Sequence, residues 1–293
     1  MSGDVSGGYF PLTGDLVVTR MGFGAMRLAG PGVWGPPRDP GAAIRVLRTV
    51  AELGLTHIDT AGFYGPDVVN DLIREALHPY PDTLHIVTKV GYRRSRDRAW
   101  RPARSREDLV TAVHGNLRHL GLEALDVVNL RVGGPGGRPA PGPVAEPFGV
   151  LADLQSQGLI RYLGVSNVTL DQLAEARTVA RVVCVQNRYS VADRQDDPLL
   201  DRCAADEIAF VPFFPVSGFS PAQAAALDEI AARLGASRQQ VALAWLLHRS
   251  PNILLIPGTS AESHLRDNVS AATLNLPLDA RAALNAIGAH PAP

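Results

Sequence analysis

Apolar and polar residues alternate along the chain with two periods, and this alternation predicts a parallel α/β fold. Short apolar runs predict eight strands, at residues 17–22, 57–59, 85–90, 126–130, 162–165, 182–186, 209–213 and 253–256. Amphipathic segments between the runs predict helices at residues 40–53, 68–77, 106–120, 148–157, 170–180 and 261–272. Eight strands with intervening helices favour a (β/α)8, or TIM, barrel over an open sheet.

Two predicted elements lie outside the eight units. Residues 9–18, with Thr13-Gly14-Asp15 at the turn, predict a β-hairpin ahead of the barrel. Residues 237–248 predict an extra helix before the last strand, because Ser237 and Gln240 have the spacing of a capping box. A further short helix is predicted near the C-terminus, so the barrel carries extra C-terminal helices.

Two long connections are predicted to be loops, because residues 29–40 and 133–147 are rich in glycine and proline. No change of composition marks a linker between domains. The length of 293 residues is usual for one barrel, and a hydrophobic content of 46% suffices for a large core. Residues 1–293 are therefore predicted to form a single domain.

Charge and cysteine usage narrow the class of protein. The formal net charge is −1, so no basic excess points to nucleic acid or to an anionic membrane surface. No stretch approaches the roughly 18 apolar residues of a membrane-spanning helix, and the N-terminus lacks the pattern of a signal peptide. Cys184 and Cys203 do not have metal-ligand spacing. We expect reduced thiols, a cytoplasmic protein and no metal. The sequence does not predict the oligomeric state.

Three residues with matched chemistry are predicted to meet at one end of the barrel. Asp59 ends the second predicted strand, Tyr64 lies in the loop after it, and Lys89 is near the end of the third. Catalytic groups of barrel enzymes gather at the C-terminal ends of the strands. An ammonium beside a phenol favours phenolate, and a carboxylate keeps the ammonium charged. The trio therefore predicts a proton-donating site, the alternative being a surface tyrosine plus an ordinary ion pair.

The motifs IDTAGFYG, TK, GVSN, VQN and IPGTS follow one another in this order. Together they resemble the aldo-keto reductase family, and the resemblance extends from about Phe10 to about Leu276. It implies a barrel whose bottom is closed by the N-terminal hairpin. It also implies an NADPH-dependent oxidoreductase that reduces an aldehyde or ketone to an alcohol. In that reaction Asp59, Tyr64 and Lys89 are catalytic, with Tyr64 as the proton donor.

The fourth catalytic position departs from the family pattern. The stretch LGLEALDVVNLR places Arg131 where the family ends its fourth strand with histidine. A guanidinium cannot act as a general base, but it can polarise a carbonyl and stabilise developing oxyanion charge. We therefore expect Arg131 to face the substrate carbonyl. The alternative is that Arg131 only pairs with a carboxylate at the barrel opening.

The resemblance also assigns a set of residues to the cofactor. The set covers the turn after the first strand, the ends of the fifth to seventh strands and the segment after the eighth: Gly24, Ala25, Met26, Ser166, Asn167, Gln186, Phe213, Gly258, Thr259, Ser260, His264, Asp267 and Asn268. In the family, the positions of Ser166, Asn167 and Gln186 bind the nicotinamide amide. The position of Phe213 stacks on the nicotinamide ring, which suits an aromatic face.

The last part of this set is assigned to the adenosine end of the cofactor. Residues 259–260 are predicted to open a helix, and free N–H groups at a helix start favour phosphate. By resemblance, residues 258–260 approach the 2′-phosphate, while Asp267 and Asn268 approach the adenine. His264 stands where many relatives carry arginine. This replacement leaves the strength of the preference for NADPH over NADH open.

The substrate is a small carbonyl compound by resemblance. Trp34 and Trp100 are predicted to lie in loops at the barrel opening, where they are candidates for walls of a substrate pocket. Arg131, the first loop GPGVWGPPRD and the segment VPFFP resemble a bacterial pyridoxal reductase-like branch of the family. Pyridoxal is therefore the expected substrate. The alternatives are a broad-specificity aldehyde-detoxifying reductase and a cofactor-sensing regulatory subunit on the same fold.

Overall fold

The computed structural model describes residues 7–134, 136–216 and 219–289. Within these residues the chain forms ten strands: β1 Tyr9–Thr13, β2 Leu16–Thr19, β3 Phe23–Gly24, β4 His57–Asp59, β5 His85–Arg94, β6 Trp100–Ala103, β7 Leu125–Arg131, β8 Ile160–Ser166, β9 Val182–Gln186 and β10 Ala209–Phe210. The same residues form ten α-helices: α1 Pro40–Glu52, α2 Val68–Leu77, α3 Arg106–Leu120, α4 Ala145–Ser156, α5 Leu170–Val179, α6 Asp197–Ala205, α7 Pro221–Leu234, α8 Arg238–Arg249, α9 Glu262–Ser270 and α10 Leu278–Ala289.

Seven parallel strands form most of the barrel wall, in the order β10-β9-β8-β7-β5-β4-β3. Residues 253–256 close the wall between its two edges. Ile253 bridges Phe210 of β10 on one side, and Leu255 bridges Met21 just before β3 on the other. The predicted (β/α)8 barrel is confirmed, with an eighth strand that is held by isolated bridges rather than by a continuous ladder.

The N-terminal hairpin is confirmed, and it corrects the first predicted strand. β1 and β2 pair antiparallel with Phe10 opposite Val18, so residues 16–19 belong to the hairpin. The first barrel strand starts only at Phe23, beyond the end of the strand predicted at 17–22. Val17 is 46% exposed while Val18 is fully buried. This alternation suits an antiparallel strand with one solvated face, which the continuous apolar run did not reveal.

The third barrel strand is longer than predicted and forms a second hairpin at the barrel opening. β5 continues to Arg94 and pairs antiparallel with β6, where Arg94 lies opposite Trp100. Trp100 therefore lies on a strand and not in the predicted loop. Residues 93–101 are mostly charged or polar, so no apolar period marks this extension. Conversely, β10 ends at Phe210, before the predicted end at residue 213.

Six helices, α1 to α5 and α9, agree with the predicted amphipathic segments to within a few residues, whereas α6 and α7 correspond to none of these segments. α2 and α3 have the predicted bounds, whereas α4 begins three residues earlier than predicted. α8 confirms the extra helix before the last strand. The backbone N–H of Gln240 donates to Ser237 Oγ at 3.1 Å, and the backbone N–H of Ser237 donates to Gln240 Oε1 at 2.7 Å. The predicted capping box is therefore present.

Candidate active site

A cavity of about 390 Å³ opens where the barrel strands end. Its lining includes all four predicted catalytic residues, Asp59, Tyr64, Lys89 and Arg131. Asp59 is the last residue of β4, Arg131 is the last residue of β7, and Tyr64 lies in the connection from β4 to α2. The parallel register of the barrel thus brings together side chains that are up to 72 positions apart in sequence.

Lys89 and Asp59 form a buried ion pair at the floor of this cavity. Lys89 Nζ lies 2.5 Å from Asp59 Oδ1 and also donates to the carbonyl of Thr60 at 3.0 Å. Gln186 Nε2 donates to the other carboxylate oxygen of Asp59 at 2.8 Å. Burial disfavours the Lys89 ammonium, but Asp59 and Tyr64 outweigh it, so the pKa of Lys89 is raised. The ammonium is therefore charged and held in place.

Tyr64 is buried beside this ion pair. Its ring centroid lies 5.1 Å from Lys89 Nζ, and only 4% of the residue is exposed. The edge-to-face contact with the Phe63 ring, at 5.4 Å between centroids, restrains the phenol. Gly65 follows with φ +90°, and a Cβ there would lie 2.7 Å from Val68 Cβ, so the tight turn after Tyr64 requires glycine.

Arg131 has its guanidinium fixed by backbone carbonyls rather than by a carboxylate. Its Nε donates to Gly133 O at 3.2 Å, and its Nη2 donates to Gly134 O at 2.9 Å. The guanidinium lies 5.6 Å from the ring centroids of both Tyr92 and Trp100. Among the described residues Arg131 has no ion-pair partner within 4.0 Å. The alternative in which Arg131 serves only as a carboxylate partner is therefore wrong.

Three of the predicted cofactor residues carry buried polar atoms that lack a partner. Ser166 and Gln186 are paired across β8 and β9, and the N–H of Asn167 donates to the carbonyl of Gln186 at 3.0 Å. Ser166 Oγ, Asn167 Oδ1 and Gln186 Oε1 are buried and have no hydrogen-bond partner in the described part of the chain. Such atoms are costly unless a ligand satisfies them. One hydroxyl and two amide oxygens on neighbouring residues at the ends of β8 and β9 fit a carboxamide, and of the three residues Gln186 lines the cavity.

The turn after β3 and the segment after the last strand meet at the edge of the cavity. A Cβ on Gly24 would lie 2.4 Å from Ile256 O, and a Cβ on Gly258 would lie 2.4 Å from Gly24 O. Only glycine allows this approach. Met26 and Phe213 also line the cavity. Ala25 is fully buried in the core, so its side chain does not reach the cavity.

The helix predicted to open at residues 259–260 begins later. α9 starts at Glu262, and Thr259 Oγ1 accepts from the N–H of Ala261 at 3.1 Å. The first turn of α9 already contains the Glu262 carboxylate, which lies 3.3 Å from Arg45 Nε. The predicted free N–H groups of the helix start therefore lie close to a carboxylate that is paired with Arg45.

The remaining predicted adenosine residues divide by exposure. Ser260, His264 and Asp267 are exposed, while Asn268 is buried. Asn268 Oδ1 accepts from Gln239 Nε2, and Asn268 Nδ2 has no partner in the described ranges. The structure therefore places His264, Asp267 and Asn268 on α9 and Ser260 just before it, all outside the lining of the catalytic cavity. Their assignment to the cofactor stays a prediction.

The two predicted substrate walls behave differently. Trp100 lines the cavity. Trp34 does not, and its ring instead lies 5.3 Å from the guanidinium of Arg94 and 5.8 Å from that of Arg98. Arg94 also stacks on Trp100 at 4.6 Å and donates to the carbonyl of Val33 at 2.7 Å. Arg94 thus connects the first loop to the β5–β6 hairpin, and the role of Trp34 in substrate binding stays a prediction.

Several cavity residues are absent from the sequence prediction, namely Arg27, Val33, Phe214, Pro215, Val216, Gln239, Ile256 and Pro257. Arg27 is exposed and forms no ion pair with any described residue. It ends the segment GFGAMR, in which the family resemblance assigns Gly24, Ala25 and Met26 to the cofactor but gives no role to the arginine. Gln239 lies on α8 within the capping box, which assigns no chemical role to its side chain, and it reaches the cavity where α8 contacts α9 through the bond from Gln239 Nε2 to Asn268 Oδ1.

Comparison with known proteins identifies the class that this fold and site define. A model of the Aldo/keto reductase family matches residues 20–289, and the chain belongs to this family. The protein is accordingly an NAD(P)H-dependent oxidoreductase of carbonyl compounds.

Individual relatives cover nearly the whole chain. The chain is 57% identical to pyridoxine 4-dehydrogenase of Escherichia coli strain K12, over 94% of this chain and 96% of that protein. It is 26% identical to an NADH-specific methylglyoxal reductase of the same strain, over 90% and 93% of the two chains. Among solved structures, the thermostable aldo-keto reductase Tm1743, determined with the inhibitor epalrestat, has a TM-score of 0.81 and 29% identity, covering 96% of this chain and 99% of that chain.

The cysteines and the helices bear on the expected class of protein. Cys184 and Cys203 are both buried and free, as expected for reduced thiols. Within residues 7–134, 136–216 and 219–289, no helix is long and apolar enough to cross a membrane.

Proposed function

We propose that this protein is an NADPH-dependent pyridoxal reductase, with residues 1–293 acting as one domain in the cytoplasm. The observation that carries the proposal is the cavity in which Tyr64, the Lys89–Asp59 pair and Arg131 converge beside the unsatisfied polar atoms of the predicted nicotinamide site. The likeness to pyridoxine 4-dehydrogenase, at 57% identity, supports the substrate.

The residues of the cavity divide the reaction among them. When bound, NADPH would supply the hydride that is added to the carbonyl carbon. Tyr64 donates its phenolic proton to the carbonyl oxygen, so hydride and proton together convert the aldehyde to the alcohol. Lys89, held by Asp59 and the Thr60 carbonyl, stabilises the phenolate that remains. Arg131 donates to the carbonyl oxygen and stabilises the charge that develops there.

The polar cluster at the ends of β8 and β9 fits the cofactor. Asn167 Oδ1 and Gln186 Oε1 are acceptors suited to the nitrogen of a carboxamide, and Ser166 Oγ is a donor suited to its oxygen. The close contact of Gly24 with Gly258 keeps side chains out of the path between the cavity and α9. Phe213 offers an aromatic face in the same cavity.

We expect NADPH to bind more tightly than NADH, by on the order of tenfold, because residues 258–260 and the start of α9 favour a phosphate. The Glu262 carboxylate and the exposed His264 limit this preference, and the NADH-specific relative shows that the family accommodates both cofactors. Titration of intrinsic fluorescence with both cofactors measures the two affinities. Ser260→Asp should weaken NADPH binding and leave NADH binding unchanged. Equal affinities of the wild type for both cofactors contradict the 2′-phosphate assignment.

The substrate is tested by comparing kcat/KM for pyridoxal, pyridoxal phosphate, benzaldehyde and methylglyoxal with NADPH. We expect pyridoxal to be preferred, because a cavity of about 390 Å³ with Trp100 in its wall suits a compact aromatic aldehyde. Pyridoxal that is reduced no faster than methylglyoxal supports a broad-specificity aldehyde reductase instead. Oxidation of bound NADPH in a single turnover without steady-state catalysis supports a cofactor-sensing regulatory subunit.

A further inference from the structure

The charged residues of the cavity favour a substrate that carries a second, anionic oxygen beside its carbonyl. We propose that the enzyme selects aromatic aldehydes with an ionised oxygen on the ring carbon adjacent to the aldehyde, and that Arg131 binds both oxygens. This inference rests on the proposed function and names the substrate class of the same site. It assigns Arg131 a role in specificity in addition to its role at the carbonyl.

Cations outnumber carboxylates in the lining of the cavity. The charged residues that line the cavity are Arg27, Lys89, Arg131 and Asp59, three cations and one carboxylate. Both oxygens of Asp59 are already engaged, one by Lys89 and the other by Gln186. Arg131 is 9% exposed and has no carboxylate partner in the described part of the chain. A neutral aldehyde leaves this largely desolvated cation without a counter-ion, whereas an oxyanion supplies one.

The hydrogen-bond donors of the Arg131 guanidinium are held in a fixed plane. Arg131 Nε and Nη2 are bound to the carbonyls of Gly133 and Gly134, which fixes the plane of the guanidinium. Nη1 donates to no described residue, so its two N–H groups are available in a side chain that lines the cavity. In an aromatic aldehyde with an adjacent ring oxygen, one planar rotamer of the aldehyde places the two oxygens on the same side of the molecule. A guanidinium suits such a pair of oxygens, and an ammonium does not.

Two aromatic rings lie against the Arg131 guanidinium. The guanidinium of Arg131 lies over the rings of Tyr92 and Trp100, and Trp100 also lines the cavity. A planar substrate that rests against Trp100 therefore meets the guanidinium at its edge, where its oxygens are. Pyridoxal carries a hydroxyl on the ring carbon next to its aldehyde. Benzaldehyde and methylglyoxal have no such group.

The kinetic experiment uses matched benzaldehydes with NADPH as reductant. We expect kcat/KM for 2-hydroxybenzaldehyde to exceed that for 2-methoxybenzaldehyde by about 10- to 100-fold, as for a hydrogen bond to a charged group. The ratio should rise with pH as the substrate phenol ionises. The 4-hydroxy isomer controls for the electronic effect of the hydroxyl. Arg131→Met should abolish most of the ratio, and Arg131→Lys, which keeps the charge but not the planar fork, should reduce it.

A binding experiment without catalysis tests the same contact independently. Salicylamide has the same adjacent oxygens but is not reduced, and its absorbance reports ionisation of its hydroxyl. Salicylamide bound to the wild-type protein should ionise at a lower pH than salicylamide free in solution. The protein should not change the pH at which 4-hydroxybenzamide ionises. Arg131→Met should lose this effect while retaining its melting temperature and NADPH affinity. Arg131→Lys serves as the variant if the methionine does not fold.

The two proposals fail separately. Equal kcat/KM for 2-hydroxy- and 2-methoxybenzaldehyde, or an unchanged ratio in Arg131→Met, overturns the specificity role while aldehyde reduction stands. Absence of reduction of every aldehyde overturns the proposed function, and the salicylamide titration then still decides whether Arg131 binds an adjacent oxyanion.

Discussion

Tyr64→Phe should lower kcat by on the order of 10²- to 10⁴-fold while NADPH affinity stays close to that of the wild type. The substitution removes only the phenolic oxygen. The ring contact with Phe63 and the fixed Lys89–Asp59 pair remain. The measurement is steady-state reduction of pyridoxal, together with a cofactor titration of the same sample.

A second tyrosine provides the matched control. Tyr92 is also buried and also near Arg131, but its hydroxyl donates to the carbonyl of Val132 at 3.5 Å and it does not line the catalytic cavity. Tyr92→Phe should therefore change kcat by only a few-fold, as expected for loss of one weak hydrogen bond. A Tyr64→Phe enzyme with near-normal kcat excludes Tyr64 as the proton donor.

Removal of either partner of the Lys89–Asp59 pair should strongly destabilise the fold as well as abolish activity. Asp59→Asn leaves a buried ammonium without its counter-ion, and Lys89→Met leaves a buried carboxylate. Each single substitution should cost about 3–5 kcal/mol in the free energy of unfolding. The double variant Asp59→Asn with Lys89→Met should cost clearly less than the sum of the two, because no unpaired charge remains.

Urea unfolding of the four proteins at neutral pH gives the required free energies. Because the folded-state pKa of Lys89 is raised, the contribution of its charge is fully present near pH 7. That contribution is lost only as pH rises above the usual lysine range towards the folded-state value. If the costs of the two substitutions add in the double variant, Lys89 and Asp59 are not a coupled pair. Reductase activity in Lys89→Met or in Asp59→Asn contradicts the proposed role of that residue beside Tyr64.

Much of the fold follows from local patterns, and the failures have a common cause. Apolar periodicity located α1 to α5 and α9, and the N-terminal hairpin and the capping box of α8 were correctly predicted from turn and capping residues. The errors occur where pairing is decided by distant segments. The run predicted as the first barrel strand at 17–22 instead contributes residues 16–19 to β2, because these residues pair with β1. The polar β5–β6 hairpin likewise depends on partners that carry no apolar period.

The predicted site divides in the same way. Asp59, Tyr64 and Lys89 belong to contiguous motifs at strand ends, and parallel strands of one barrel must bring such ends together. Arg131 was identified because the stretch LGLEALDVVNLR matches the family pattern of the fourth strand, which ends at this position. The motifs alone could not show that its guanidinium is bound by Gly133 and Gly134.

By itself, the sequence determined the barrel and the family, and it predicted Asp59, Tyr64 and Lys89 as the proton-donating trio, because these inferences depend on local periodicity and on short motifs. Only the tertiary structure decided that Trp34 packs on Arg94 while Trp100 lines the cavity. It also decided that Arg27 and Gln239 reach the cavity, and that the Asp59 carboxylate in the same cavity is already engaged by Lys89 and Gln186. The physical reason is that side-chain contacts and desolvation are set by neighbours distant in sequence, and no local pattern of residues encodes them.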